Sequence, residues 1–110
     1  SISSQHAELL VTRGISALEG GYVWRHDPKL THLSPFRLSE AQAQQLIQDI
    51  ACPTFCILGD AGYVEIKQLL TQRRRDFKQL TSRELTGNHH LHMVNNQGVA
   101  QAIKEFLVKL

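Results

Sequence analysis

The sequence predicts an α/β fold with a mostly parallel sheet. Three observations predict it. Helical and strand patterns alternate from residue 39 to residue 110, the order of successive βα units. The run Thr54-Phe55-Cys56-Ile57-Leu58 is apolar after its first residue, between Pro53 and Gly59-Asp60, as in a strand buried on both faces. The stretch Gly87-Asn88-His89-His90-Leu91-His92-Met93 falls between a strand pattern and a helix pattern. In a parallel sheet that is the carboxyl edge, where ligands bind.

Each element has its own signal. Residues 3–13 read as a helix, with Ser3 or Ser4 as cap, Ala7, Leu10 and Val11 on one face, and Gly14 as terminator. Gly20-Gly21 reads as a turn and residues 22–25 as a short extended piece. Residues 26–38 hold two prolines among polar residues and form an irregular connection. Ser39 with Gln42 three residues later is a capping box. It opens a helix to about Ile50 with Ala43, Leu46, Ile47 and Ile50 inward. Strand 54–58 follows. Residues 63–77 are helical with Ile66, Leu69 and Leu70 inward, and residues 80–85 form a second, weaker strand. Asn95 or Asn96 caps a last helix, with Val99, Ile103, Phe106, Leu107 and Leu110 on one face.

Two confident strands leave a sheet with open edges, and an isolated strand pair is marginal. The sequence begins at Ser1, and its one methionine is Met93. The expectation is a C-terminal portion of a larger domain, completed by an upstream portion on the same or a separate chain. Ser1 as a freed N-terminal nucleophile is disfavoured, because it leads into a helix rather than a strand.

Composition narrows the class. Of 110 residues, 42% are hydrophobic and 20% charged, with a net charge of +2. That balance suits an ordinary soluble domain and lacks the basic patch of a nucleic-acid binder. The basic run Arg73-Arg74-Arg75 reads as the solvated end of a helix. No apolar run reaches about 18 residues, so no membrane helix is expected. Cys52 and Cys56 are spaced CxxxC, unlike redox or zinc CxxC pairs. They read as small buried hydrophobes in a reducing compartment, which makes the cytoplasm the expected location. A disulfide between them would strain an extended strand.

The chemistry-bearing cluster is His89, His90 and His92. A histidine on such a loop, oriented by a carboxylate, can take a proton from a nucleophile, and its ordinary pKa near 6.5 suits the task. Loop packing competes with that reading for His90 and His92. So does a metal site through His89-x-x-His92, although no Cys, Asp or Glu closely flanks it, and so does a chance cluster. Asp27, between His26 and Pro28, reads as a turn residue bonding its own backbone. Tyr22 and Trp24 read either as core aromatics or as pocket lining.

A resemblance narrows these readings. Residues 85–93, Leu-Thr-Gly-Asn-His-His-Leu-His-Met, followed by Val99-Ala100-Gln101-Ala102-Ile103-Lys104-Glu105-Phe106-Leu107, resemble the histidine loop and last helix of α/β-hydrolases. Residues 51–60, Ala-Cys-Pro-Thr-Phe-Cys-Ile-Leu-Gly-Asp, resemble the preceding strand, "CPTLLIxGE". Residues 20–30, Gly-Gly-Tyr-Val-Trp-Arg-His-Asp-Pro-Lys-Leu, with Arg13-Gly14 before them, are similar to the region after the cap in the serine-hydrolase-like and mesoderm-specific-transcript-like branch. The resemblance covers almost the whole chain. It implies that residues 1–38 are the end of a helical cap and the return from it, and that residues 39–110 are the closing βα units. It implies that His89 is the general base for an upstream serine that attacks an ester or related acyl bond, with His90, His92, Tyr22 and Trp24 around the site. No cofactor or metal is implied.

The sequence also departs from the family pattern. The place a few residues after the strand that often carries the triad acid falls on Gly62. Asp60 is the adjacent candidate acid, or a cap for the next helix; otherwise the acid lies upstream. The nucleophile elbow G-x-S-x-G does not occur in these residues. Two relatives of the triad reading remain: a hydrolase-fold binding module without catalysis, and the same fold with an Asp nucleophile, as in dehalogenases and epoxide hydrolases.

Overall fold

The computed structural model describes residues 2–110; Ser1 lies outside them. The backbone forms two compact units, one up to Arg37 and one from Leu38.

The first unit opens with α1 (Ser4–Gly14), whose free N-terminal amides are met by Ser3: its hydroxyl accepts from the His6 amide. Two short strands follow, β1 (Ile15–Leu18) and β2 (Gly21–Trp24). They form an antiparallel hairpin in which Ile15 faces Trp24 and Leu18 faces Gly21. The sequence pattern revealed only the second arm. β1 holds two polar-compatible small residues, Ser16 and Ala17, and gains its strand character from pairing. Asp27 accepts from the Lys29 amide at 2.8 Å and starts the 3₁₀ turn Pro28–Thr31, as expected of a turn-forming Asp.

The second unit carries the parallel sheet. Its first helix, α2 (Glu40–Gln48), begins with the predicted capping box: Ser39 Oγ accepts from the Gln42 amide, and Gln42 Oε1 accepts from the Ser39 amide at 2.8 Å. Strands β3 (Thr54–Gly59) and β4 (Leu80–Leu85) pair in parallel, Thr54 against Leu80 through Gly59 against Leu85. The helix α3 (Val64–Arg73) joins them and tightens into a 3₁₀ turn, Arg74–Asp76. A one-turn helix, α4 (Leu91–Val94), precedes the last helix, α5 (Asn96–Leu107). It was invisible to periodicity because four residues hold too little of a 3.6-residue repeat.

Strand alternation sends Phe55 and Cys56 to opposite faces. On one face, Phe55 stacks on Phe106 of α5 with ring centroids 4.9 Å apart. On the other, Cys56 lines an apolar cleft of about 230 Å³ with Ile47, Ile66, Leu69, Leu70 and Phe77. Helices therefore flank both faces of the strand pair. Among the described residues, the buried apolar side chains are Leu91 and Ala102, the latter 1% exposed.

Several expectations about burial need correction. The inward residue of α5 is Ala102, while Ile103, Leu107 and Leu110 are exposed; the buried face is turned toward Phe106 and away from them. Leu46, Ile66 and Leu69 are exposed as well, because their apolar stripes meet no covering element among the described residues. Cys52 is exposed and precedes the strand, and only Cys56 is partly covered; both thiols are free. Burial raises the Cys56 thiol pKa above its ordinary value. The arginine run is not simply solvated. Arg73 pairs with Glu40 at 2.7 Å and Arg74 donates to Ser82 at 3.0 Å. The half-turn after α3 turns Asp76 inward, where Gln44 donates to it at 2.8 Å.

Replacing Ser39 by Ala removes the hydroxyl half of the capping box. The expected cost is about 1 kcal/mol, read as a lower midpoint in urea unfolding. An unchanged midpoint would show that the box contributes nothing to stability.

Candidate functional site

The carboxyl ends of β3 and β4 lie side by side, since Gly59 is the register partner of Leu85. The chain leaving β4 must cross the end of β3, and two glycines make room for it. A Cβ on Gly59 would lie within 3.0 Å of the carbonyl oxygens of Gly87 and Asn88. Gly87 has φ +147°, and a Cβ there would meet Leu91 at 3.0 Å. A side chain at Gly59 would push the loop off the strand, and one at Gly87 would crowd Leu91 in a backbone conformation that favours glycine.

The crossing is locked by hydrogen bonds in both directions. The Asp60 amide donates to the Leu85 carbonyl at 2.9 Å, and the Ala61 amide to the Gly87 carbonyl at 3.0 Å. The Asp60 carboxylate accepts from the Gly87 amide at 2.9 Å and from the Ala61 amide at 2.7 Å. These bonds, the Gly87 amide first, hold its carboxyl below the usual value, with help from the Lys67 charge and the Thr86 side chain. Lys67 also donates to the Asp60 carbonyl and pairs with Glu84, each at 2.8 Å. Asp60 was expected as a triad acid or as a cap for the next helix. It does not cap α3; the cap position belongs to Tyr63, with no side-chain cap bond. The partners of its carboxylate are two backbone amides and the Thr86 side chain, and His89 is not among them in the described residues. An acid committed to a loop's backbone amides works as a latch.

Beyond the latch the loop winds into α4. Asn88 Oδ1 accepts from the His90 amide at 2.8 Å, and the Leu91 amide donates to the Asn88 carbonyl at 3.0 Å. Buried Leu91 anchors the turn. Asn95 fastens its far end: Nδ2 donates to the Thr86 carbonyl at 3.0 Å, while Oδ1 accepts from the Gly98 amide and caps α5.

This scaffold presents three imidazoles. His89 is exposed, and its ring lies 4.4 Å from Tyr63 and 3.8 Å from His90. Its Nε2 is 3.3 Å from the Tyr63 hydroxyl. His90 is half-buried; desolvation first, then the charges of His89 and His92, lower its pKa, so it resists adding a second positive charge beside His89. His92 is exposed, 6.4 Å from the His90 ring. No group of three or more His, Cys, Asp or Glu among the described residues is arranged to hold a metal ion. His89 borders a cleft of about 140 Å³ formed with Ile57, Gly62, Tyr63, Ile66 and Leu91. Tyr22 and Trp24 sit on the hairpin of the other unit, 74% and 62% exposed. Tyr63 had escaped the sequence reading. Its one signal was an aromatic directly after Gly62, in the segment that leaves the strand.

No protein-family profile matches the chain. Two curated relatives do. A serine hydrolase-like protein of Dictyostelium discoideum is 29% identical over 96% of this chain and 33% of its own length. A serine hydrolase-like protein of Danio rerio is 23% identical over 96% of this chain and 34% of its own. These similarities support a relationship to the α/β-hydrolase superfamily, whose fold the chain shares. It spans about a third of the length of those curated hydrolase-like relatives. Among solved structures, a hypothetical protein of Pseudomonas aeruginosa PAO1 aligns with TM-score 0.85 and 32% identity, over 98% of this chain and 39% of that one. The thioesterase domain from the curacin biosynthetic pathway aligns with TM-score 0.76 and 22% identity, over 94% of this chain and 38% of that one, and shares the fold. In this chain the histidine loop sits at the carboxyl edge of parallel strands, and no described helix is long and apolar enough to cross a membrane.

The latch has a pH signature. The folded-state pKa of Asp60 lies below its ordinary 3.8, so its contribution is complete above that value and is lost as pH falls through the lowered one. Asp60→Asn should therefore destabilise the chain near neutrality. The difference from the unmodified chain should shrink in urea unfolding below about pH 3.8. A gap that stays constant from pH 7 to pH 3 would remove the carboxylate's charge from the account.

Proposed function

We propose that this chain is the closing part of a serine hydrolase that cleaves an ester or related acyl bond, with His89 as general base. The observation that carries the reading is the placement of His89. It is an exposed imidazole on a latched loop, beside a cleft, at the carboxyl end of a parallel strand pair. The serine hydrolase-like relatives support the class.

In this reading an upstream portion supplies the nucleophilic serine, the oxyanion-hole amides and the triad acid. The serine hydroxyl gives its proton to His89 Nε2 as Oγ attacks the acyl carbon. The imidazolium then returns the proton to the departing alcohol. Water then attacks the acyl carbon as it gives a proton to the same nitrogen, the bond to Oγ breaks to release the acid, and the imidazolium returns the proton to Oγ, restoring the serine. Asp60 serves by holding the loop, and His90, which resists protonation, keeps the surroundings of the base low in positive charge. No cofactor or metal takes part. The substrate is a small ester-like molecule, and neither nucleic acid nor membrane is a partner. The free cysteines fit a reducing compartment, the cytoplasm.

Two measurements test this. Residues 1–110 alone should not turn over p-nitrophenyl esters, because the covalent route needs the missing serine. In the hydrolase assembled from this chain and its upstream portion, His89→Asn should lower kcat by at least about 10⁴-fold. Turnover by the 110 residues at the rate of the assembled enzyme, or an assembled His89→Asn enzyme with undiminished kcat, would sink the reading. An Asp at the upstream elbow would redirect it to dehalogenase- or epoxide-hydrolase-type chemistry.

A further inference from the structure

The contact between Tyr63 and His89 goes beyond packing. Both side chains are carried by backbone fixed to the same strand end. The Gly62 amide donates to the Gly59 carbonyl at 3.0 Å, which sets the turn leading into Tyr63, and the histidine loop crosses Gly59 itself. The two rings lie nearly parallel, 28° apart, with centroids separated by 4.4 Å. The Tyr63 hydroxyl reaches Nε2 of His89 at 3.3 Å.

Proton placement follows from that contact. A neutral imidazole has one donor nitrogen and one acceptor nitrogen. A phenol hydroxyl can donate to a bare Nε2 or accept from Nε2–H. With Tyr63 donating to Nε2, the ring proton sits on Nδ1. A base that abstracts through Nε2 while a carboxylate orients it through Nδ1–H needs that same tautomer.

We propose that Tyr63 is a positioning residue for His89, its hydroxyl standing at Nε2 where the nucleophile's hydroxyl binds and holding the imidazole in the Nδ1–H form. The inference rests on His89 being the general base. At 3.3 Å the bond is longer than the usual O–H contact, so a better-placed serine hydroxyl displaces it. Tyr63 is 55% exposed and has room to withdraw. The exchange swaps one hydroxyl donor for another, so the imidazole changes neither its tautomer nor its count of hydrogen bonds. The stacked ring holds the imidazole plane while the swap occurs.

The test reads tautomers directly, by two-bond ¹H–¹⁵N correlation of the histidine rings in the 110-residue chain at pH 8, where an ordinary histidine is neutral. The expected result is His89 in the Nδ1–H form, with its ring protons shifted upfield by Tyr63. Tyr63→Phe keeps the stacked ring and removes the donor. The upfield shift should survive, while the single tautomer gives way to a mixture. Tyr63→Leu should lose both signals. An Nε2–H ring in the unmodified chain, or an unchanged tautomer in Tyr63→Phe, overturns the proposal. This readout needs no substrate or serine, so it separates from the base assignment. Undiminished turnover in assembled His89→Asn would reject the base and leave the tautomer result standing.

Discussion

The histidine loop crosses the end of β3 at Gly59 with no space for a Cβ between them, and the other features of the site depend on that close passage. It brings loop amides within reach of the Asp60 carboxylate and the Asp60 and Ala61 amides within reach of the carbonyls of Leu85 and Gly87. Three short bonds across the passage, Asp60 and Ala61 amides to the Leu85 and Gly87 carbonyls and the Gly87 amide to the Asp60 carboxylate, then fix a connection that would otherwise sample many conformations. The parallel register of β3 and β4 sets the crossing point, so the position of His89 is inherited from strand pairing.

Charge at the site is arranged with economy. The latch carboxylate is satisfied by amides, and the nearby cation, Lys67, is shared between the Asp60 carbonyl and Glu84. Half-buried His90 disfavours its charged form, which limits repulsion against a protonated neighbour.

The distribution of apolar surface explains why so little of the unit is fully buried. β3 is apolar on both faces, and helices reach both, yet Ile66 and Leu69 stay exposed along the cleft that contains Cys56, and Leu46 is exposed on α2. Periodicity located those stripes correctly; it carries no information about what lies opposite them. The same limit accounts for α5, where helical spacing marked a broad apolar face and packing selected Ala102 and Phe106 from it.

Much of the fold was legible in the residues themselves. Ser39 and Gln42 declare a helix start because both capping bonds are local, within three residues. The apolar run to Gly59 declares a strand because a sheet covers every residue in it at least in part, and the run to Leu85 is weaker because half of its residues face solvent. The glycine-histidine loop was legible because three histidines cluster between a strand pattern and a helix pattern. Partners distant in sequence were not legible. Asp60 looked like an acid or a helix cap, and its role as a latch depends on an amide 27 residues away. Arg73 looked solvated until α2 supplied Glu40, 33 residues earlier. Tyr63 gave almost no signal, because its meaning lies in the imidazole 26 residues further on. The sequence alone determined local conformation and the order of βα units. Tertiary structure decided which polar groups meet, because such meetings depend on strand register and loop crossing, which no local pattern encodes.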